Sequence, residues 1–180
     1  MGIDIFLKWD GMENRPKDDK IEMFSTTDGH LGYLRESYRG GPYATQILVR
    51  EAFESRTCIA RIPAAKMRAR LTEKSQAATG CNGGHAIAMF MAQAVHDHKI
   101  AGPEDFERII NENRDAIIMP DRVTPDMSVE EAVREQYQRV YPEAGAEHVE
   151  AVIQSFRDFV ELAERKEKEL GKPCKVYASY

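Results

Sequence analysis

Along residues 2–9 apolar and polar positions alternate. Ile3, Ile5, Leu7 and Trp9 fall on one side, and Asp4, Phe6 and Lys8 on the other. A period of two predicts a strand with one buried face. Asp10-Gly11 then marks a turn, and residues 13–20, with Pro16, read as a polar loop. Residues 21–25 form a second short strand candidate. Residues 30–35 fit either a strand or the first turn of a helix, and Gly40-Gly41-Pro42 ends whichever it is. Residues 43–49 read as a strand, with a helix continuing through Phe53 as the alternative. Residues 57–62 alternate again as a strand.

At Pro63 the period changes. Proline suits the first position of a helix, where its missing N–H costs nothing, and residues 64–78 are rich in Ala, Lys, Arg and Leu. A glycine loop, 80–84, separates this helix from the most apolar one, 86–98, which carries Phe90 and Met91. Pro103, Glu104 and Asp105 open a helix over 104–113, with acids at the positive end of its dipole. Ser128 and Glu131 have the spacing of a capping box, which predicts a helix over 129–140. Val149, Val152, Ile153, Phe156, Phe159, Val160, Ala163 and Leu170 make one stripe over 146–170, and Gly171 and Pro173 stop it. Residues 174–179 then read as a strand that needs a sheet, with the N-terminal strand as its neighbour.

These elements predict an α+β fold. A small mixed or antiparallel sheet comes from the N-terminal third plus the C-terminal strand, and about five helices pack mainly on one of its faces. The 180 residues are read as one domain, 1–180, with Phe90, Met91, Phe156 and Phe159 in the helical core. No apolar run reaches the roughly 18 residues of a membrane span, and the first residues lack the pattern of a signal peptide. Three scattered cysteines, Cys58, Cys81 and Cys174, point to a reducing, cytoplasmic setting.

Charge adds an asymmetry. The net charge of −5 argues against non-specific nucleic-acid binding. Between Arg35 and Lys74, however, nine basic residues face four acidic ones, while between Glu104 and Glu161 fifteen acidic residues face six basic ones. The first region suits an anionic small molecule; the second, over the helices 129–140 and 146–161, suits a protein-interaction or inhibitor protein whose acidic surface faces a basic partner. Oligomeric state is not legible.

No complete catalytic motif is present, so the chain reads as a binding protein rather than an enzyme, and no cofactor is expected. Gly80-Cys81-Asn82-Gly83-Gly84 resembles a segment that precedes a helix in papain-like cysteine proteases, where the resemblance would make the cysteine a disulfide partner. The nucleophile segment of that family is absent, and the chain is shorter than its fold, so no protease activity is inferred. A metal-assisted hydrolase would have to draw ligands from Asp28, His30, His85, His96 and His98. His96 and His98, two apart on a helix, point in different directions.

The stretch richest in binding chemistry runs from residue 28 to 45. Arginine offers a planar fork to phosphate, tyrosine a face for a base, and glycine close backbone approach. The ligand-binding residues expected are Tyr33, Arg35, Tyr38, Arg39, Gly40, Gly41 and Tyr43, holding a phosphorylated, nucleotide-like ligand without turnover, as a sensor or a sequestering sponge. If the segment is helical, Arg35 and Arg39 share a face.

Overall fold

The computed structural model describes residues 2–12, 29–37, 42–78, 102, 104, 105, 108 and 126–179. The strand expected at 21–25, the glycine loop 80–84, the helix 86–98 and most of the helix 104–113 lie outside them, as do Phe90 and Met91. The chain divides into two units, one of residues 1–78 with 124–180 and one of residues 79–123. In the second unit the Asp105 carboxylate accepts the Gly102 N–H at 3.2 Å and Arg108 Nη2 at 2.8 Å.

The first unit is α+β, as the periodicities predict. Its strands are β1 (Gly2–Lys8), β2 (Tyr33–Ser37), β3 (Ile59–Arg61) and β4 (Lys175–Ser179). They form one antiparallel sheet in the order β2-β1-β4-β3. Residues 30–35 therefore resolve into a 3-10 turn, Gly29–Leu31, followed by strand, not into a helix. The α-helices of this unit are α1 (Ala44–Leu48), α2 (Arg50–Glu54), α3 (Ala64–Thr72), α4 (Val129–Val140) and α5 (Ala146–Leu170).

Residues 43–49, read from their β-branched content as a strand, form α1, with a break at Val49 before α2. Every residue from Ala44 to Val49 is buried. A short apolar run buried all round carries no period that separates strand from helix. Helix α3 ends at Thr72, short of the predicted 78, because Ser75 leaves the helix to pair with Met127 through N–H···O bonds of 3.0 and 3.1 Å. The capping box at α4 is present in full: Ser128 Oγ accepts from Glu131 N at 3.1 Å and Glu131 Oε2 accepts from Ser128 N at 2.9 Å.

Strand alternation sorts the sheet into two faces. Ile3, Ile5, Leu7, Leu34, Val176 and Ala178 are all buried on the helix side, where Phe156, Phe159, Val160, Met67 and Leu71 are also buried. Burying each such side chain is worth about 1.5–3 kcal/mol. Leu170, at the end of the α5 stripe, is exposed. Helix α5 contacts the 3-10 turn, α3, α4 and β2. The turn comes so close that a Cβ on Gly29 would sit 1.7 Å from the Ser155 carbonyl oxygen, so only glycine fits there.

Charged side chains tie the helices together. Arg70 is buried and clamps Glu51 with two bonds of 2.8 Å while donating to the Leu48 carbonyl at 3.0 Å, joining α3 to α1 and α2. Lys66 pairs with the same carboxylate. Burial alone would raise the Glu51 pKa, but the hydrogen bonds from Arg70 and Lys66 outweigh it and bring the group to about 2. Arg68 makes a two-pronged contact with Glu164 at 2.8 and 2.6 Å, fastening α3 to α5.

Candidate functional site

Strand β2 turns the side chains of Tyr33 and Arg35 away from the helices. Opposite them across the ladder lie Phe6 and Asp4 of β1. Tyr33 Oη donates to Asp4 Oδ1 at 2.6 Å, and Arg35 Nη1 lies 3.7 Å from the same oxygen. Burial, reinforced by the Asp4 bond, pushes the Tyr33 hydroxyl up to about 12, so it stays protonated at any ordinary pH. The Arg35 side chain lies over Gly2, whose missing Cβ would stand 3.1 Å from Arg35 Nε. Tyr33 and Arg35 are thus brought together, around a carboxylate. Tyr43 is the half-buried residue just before α1. Tyr38, Arg39, Gly40 and Gly41 lie outside the described residues.

Glu36, on the helix side of β2, was not among the expected site residues. It is 7% exposed. Its carboxylate accepts Ala44 N at 2.9 Å, Thr45 N at 2.9 Å and Thr45 Oγ1 at 2.6 Å. A side chain from the strand therefore closes the free N–H groups at the start of α1. Burial raises the Glu36 pKa, and the bonds from Thr45 and Ala44 work against that rise.

Beside Glu36 a cavity of about 280 Å³ opens between β2, α4 and α5. Its lining includes Arg35, Glu36, Gln136, Tyr137, Tyr141, His148 and Phe156. The Tyr137 ring lies 5.6 Å from that of Tyr141 and 5.3 Å from that of His148, edge-on to the latter at 63°. A second hollow of about 350 Å³ shares Tyr137 and Tyr141, which therefore act as a partition. The Gln136 amide stands close enough to Glu36 to favour its ionised form. Even so, its Nε2 is buried without a hydrogen bond of ordinary geometry. A buried donor left so costs about 1–3 kcal/mol.

Gln136, Tyr137, Tyr141 and His148 escaped sequence reasoning as a site. Tyr137 lies in the helix predicted over 129–140, where it carried no binding role. The available signal was the i, i+4 spacing of Tyr137 and Tyr141 followed by a histidine in the first turn of the next helix.

His30 is exposed on the 3-10 turn, and Asp28, His85, His96 and His98 lie outside the described residues. Among the described residues no three of His, Cys, Asp or Glu cluster at metal-binding distance. The acidic helices carry their own counter-charges. Glu130 and Glu150 both pair with Arg134, at 3.2 and 3.4 Å, and with Arg157, at 2.7 and 2.5 Å. Among the described residues no helix is long and apolar enough to cross a membrane. Comparison with family models, with curated proteins and with solved structures gave no match to this chain.

Proposed function

We propose that this protein binds a small polar ligand in the cavity between β2, α4 and α5 and does not turn it over. The observation that carries this reading is the Gln136 residue in the cavity wall, whose buried amide has, among the described residues, only Glu36 nearby as acceptor and makes no hydrogen bond of ordinary geometry to it. A rotation of the amide towards the cavity would bring it to a ligand acceptor and remove that cost. Glu36, the buried carboxylate of the lining, is held by three donors and so serves the fold rather than acting as a base. Tyr137, Tyr141 and His148 offer ring faces to a flat ligand.

The size of the cavity limits the ligand. Sites for drug-sized ligands run to about 300–1,000 Å³, and this one, at about 280 Å³, lies just below that range. A phosphorylated, nucleotide-like ligand no larger than a mononucleotide fits the reading; a phosphate contact from Arg35 requires its guanidinium, which lies beside Asp4 and over Gly2, to swing around the edge of β2. A sensor or a sequestering role, in a cytoplasmic setting, goes with it. The alternative of an acidic protein-binding face has less to rest on, since Arg134 and Arg157 already occupy Glu130 and Glu150.

Calorimetry with mono- and cyclic nucleotides, sugar phosphates and uncharged nucleosides tests this directly. Gln136→Leu is expected to weaken the ligand found by about tenfold, the worth of one neutral hydrogen bond. Arg35→Ala should cost about 1.5–3 kcal/mol of binding if phosphate meets the guanidinium. Equal binding by Arg35→Ala would remove the phosphate and leave an uncharged ligand. Equal binding by Gln136→Leu would remove the cavity assignment.

A further inference from the structure

The face of the sheet turned away from the helices is ordered into rows by the strand register. At one end Lys8 of β1 is paired with Lys175 of β4, and Lys175 with Arg61 of β3. Three cations therefore stand side by side across three adjacent strands, spanning about 10 Å at the usual strand spacing. Like charges directly opposite one another destabilise a sheet, so this row costs the fold something. Among the described residues neither Lys8 nor Lys175 makes an ion pair. Lys172 pairs with Asp10, and Arg61 lies 3.8 Å from the same carboxylate. Among the described residues Asp10 thus pairs with Lys172 and Arg61 and leaves Lys8 and Lys175 without an ion pair. The next row consists of rings and an aliphatic chain: Phe6 is paired with Tyr177, and Tyr177 with Ile59. All three are half-buried, and the Phe6 ring packs 4.9 Å from that of the buried Tyr33. Lys8 leans over the Tyr177 ring, its Nζ 5.8 Å from the centroid.

We propose that this face, over β1, β4 and β3, binds single-stranded nucleic acid. Unstacked bases lie on aromatic side chains of a sheet, and the sugar-phosphate backbone runs along neighbouring cations. Here the two rows are adjacent, so a base on Tyr177 has its phosphate within reach of Lys8, Lys175 and Arg61. The aromatic row selects this partner over an acidic protein segment, which would use the cations and leave Tyr177 idle. The net charge of the chain is no obstacle, because contact is decided by the local row of like charge. This surface is on the opposite side of β2 and β1 from Glu36 and the cavity, and the inference does not depend on the ligand proposed there.

Fluorescence anisotropy of the full chain with a short labelled uridine oligonucleotide at low salt tests it. Binding is expected to weaken with added salt, with a slope of about −0.7 per phosphate neutralised. Lys8→Glu and Lys175→Glu should each lower affinity about tenfold. Tyr177→Ala should lower it by a similar factor while Tyr177→Phe keeps it, because stacking needs the ring and not the hydroxyl. Circular dichroism melts of the same variants separate lost binding from lost folding, and Lys8→Glu, on an exposed side chain, gives a variant that keeps its fold. Absence of any oligonucleotide binding by the wild type at low salt overturns the proposal. So does equal binding by Tyr177→Ala with full displacement by polyglutamate, which would assign the face to an acidic protein segment.

Discussion

The two faces of the sheet are built from the same strands yet obey different rules. On the helix side Ile3, Ile5, Leu7, Leu34, Val176 and Ala178 are uniformly apolar and buried. Their neighbours in sequence, on the other side, are Asp4, Phe6, Lys8, Arg35, Lys175 and Tyr177, a mixture of charge and aromatic surface. Packing chooses the first set, because each member removes apolar area from water. Packing accounts for Phe6, whose ring lies 4.9 Å from that of the buried Tyr33 on the same face, but it does not call for the row of cations. Residue types that the core does not demand, and that include a row of like charges, mark the outer face as the place where stability has yielded to contact.

Three changes sharpen or break this contrast. The largest effect is expected on the helix side: Phe159, fully buried in α5, should cost about 3–5 kcal/mol when replaced by alanine. A melting temperature close to wild type would show that the core lies elsewhere. Next comes the Glu51 clamp between the short helices. Its carboxyl is held at about 2, below the ordinary 4.5. A lowered acid pKa contributes stability above pH 4.5 that is lost as pH falls towards 2. With solvent screening of this partly exposed group allowed for, the loss is on the order of 1–2 kcal/mol. Urea titrations at pH 6 and pH 3 should show it, and Glu51→Gln should flatten that difference. The smallest effect has the opposite sign. Lys175→Thr removes the middle cation of the outer row and places a β-branched residue in a strand, so stability should rise by up to about 0.5–1 kcal/mol. A loss of stability instead would mean that the row is structural.

Much of the architecture was legible because its signals are local. The alternation of residues 2–8 gave β1, the stripe from Val149 to Ala163 gave α5, and Ser128 with Glu131 gave the start of α4. What was not legible depends on partners distant in sequence. Residues 44–48 are helical because Glu36 reaches over from β2 to close the helix start, and no local pattern records that contact. Likewise α3 stops where Ser75 finds Met127. The site shows the same division. Arg35 stood out by type, but that Asp4 lies beside it follows only from the strand register. Gln136 and His148 carried no signal of their own, since α4 and α5 create the cavity by meeting.

The central pair of strands has a consequence for how the molecule forms. Strands β1 and β4 are neighbours in the middle of the sheet, with Asp4 opposite Ser179. Their pairing joins segments separated by nearly the whole chain, and closing so long a loop has an entropic cost before any contact offsets it. Neither edge strand can dock without them: β2 binds only to β1, and β3 only to β4. Helices α3 and α5 can gather early, but the sheet waits for a single late encounter. Folding should therefore be slow for a chain with this much helix, as high contact order dictates. Substitutions at the β1–β4 seam, such as Val176→Ala, should slow refolding more than equally destabilising substitutions within α5.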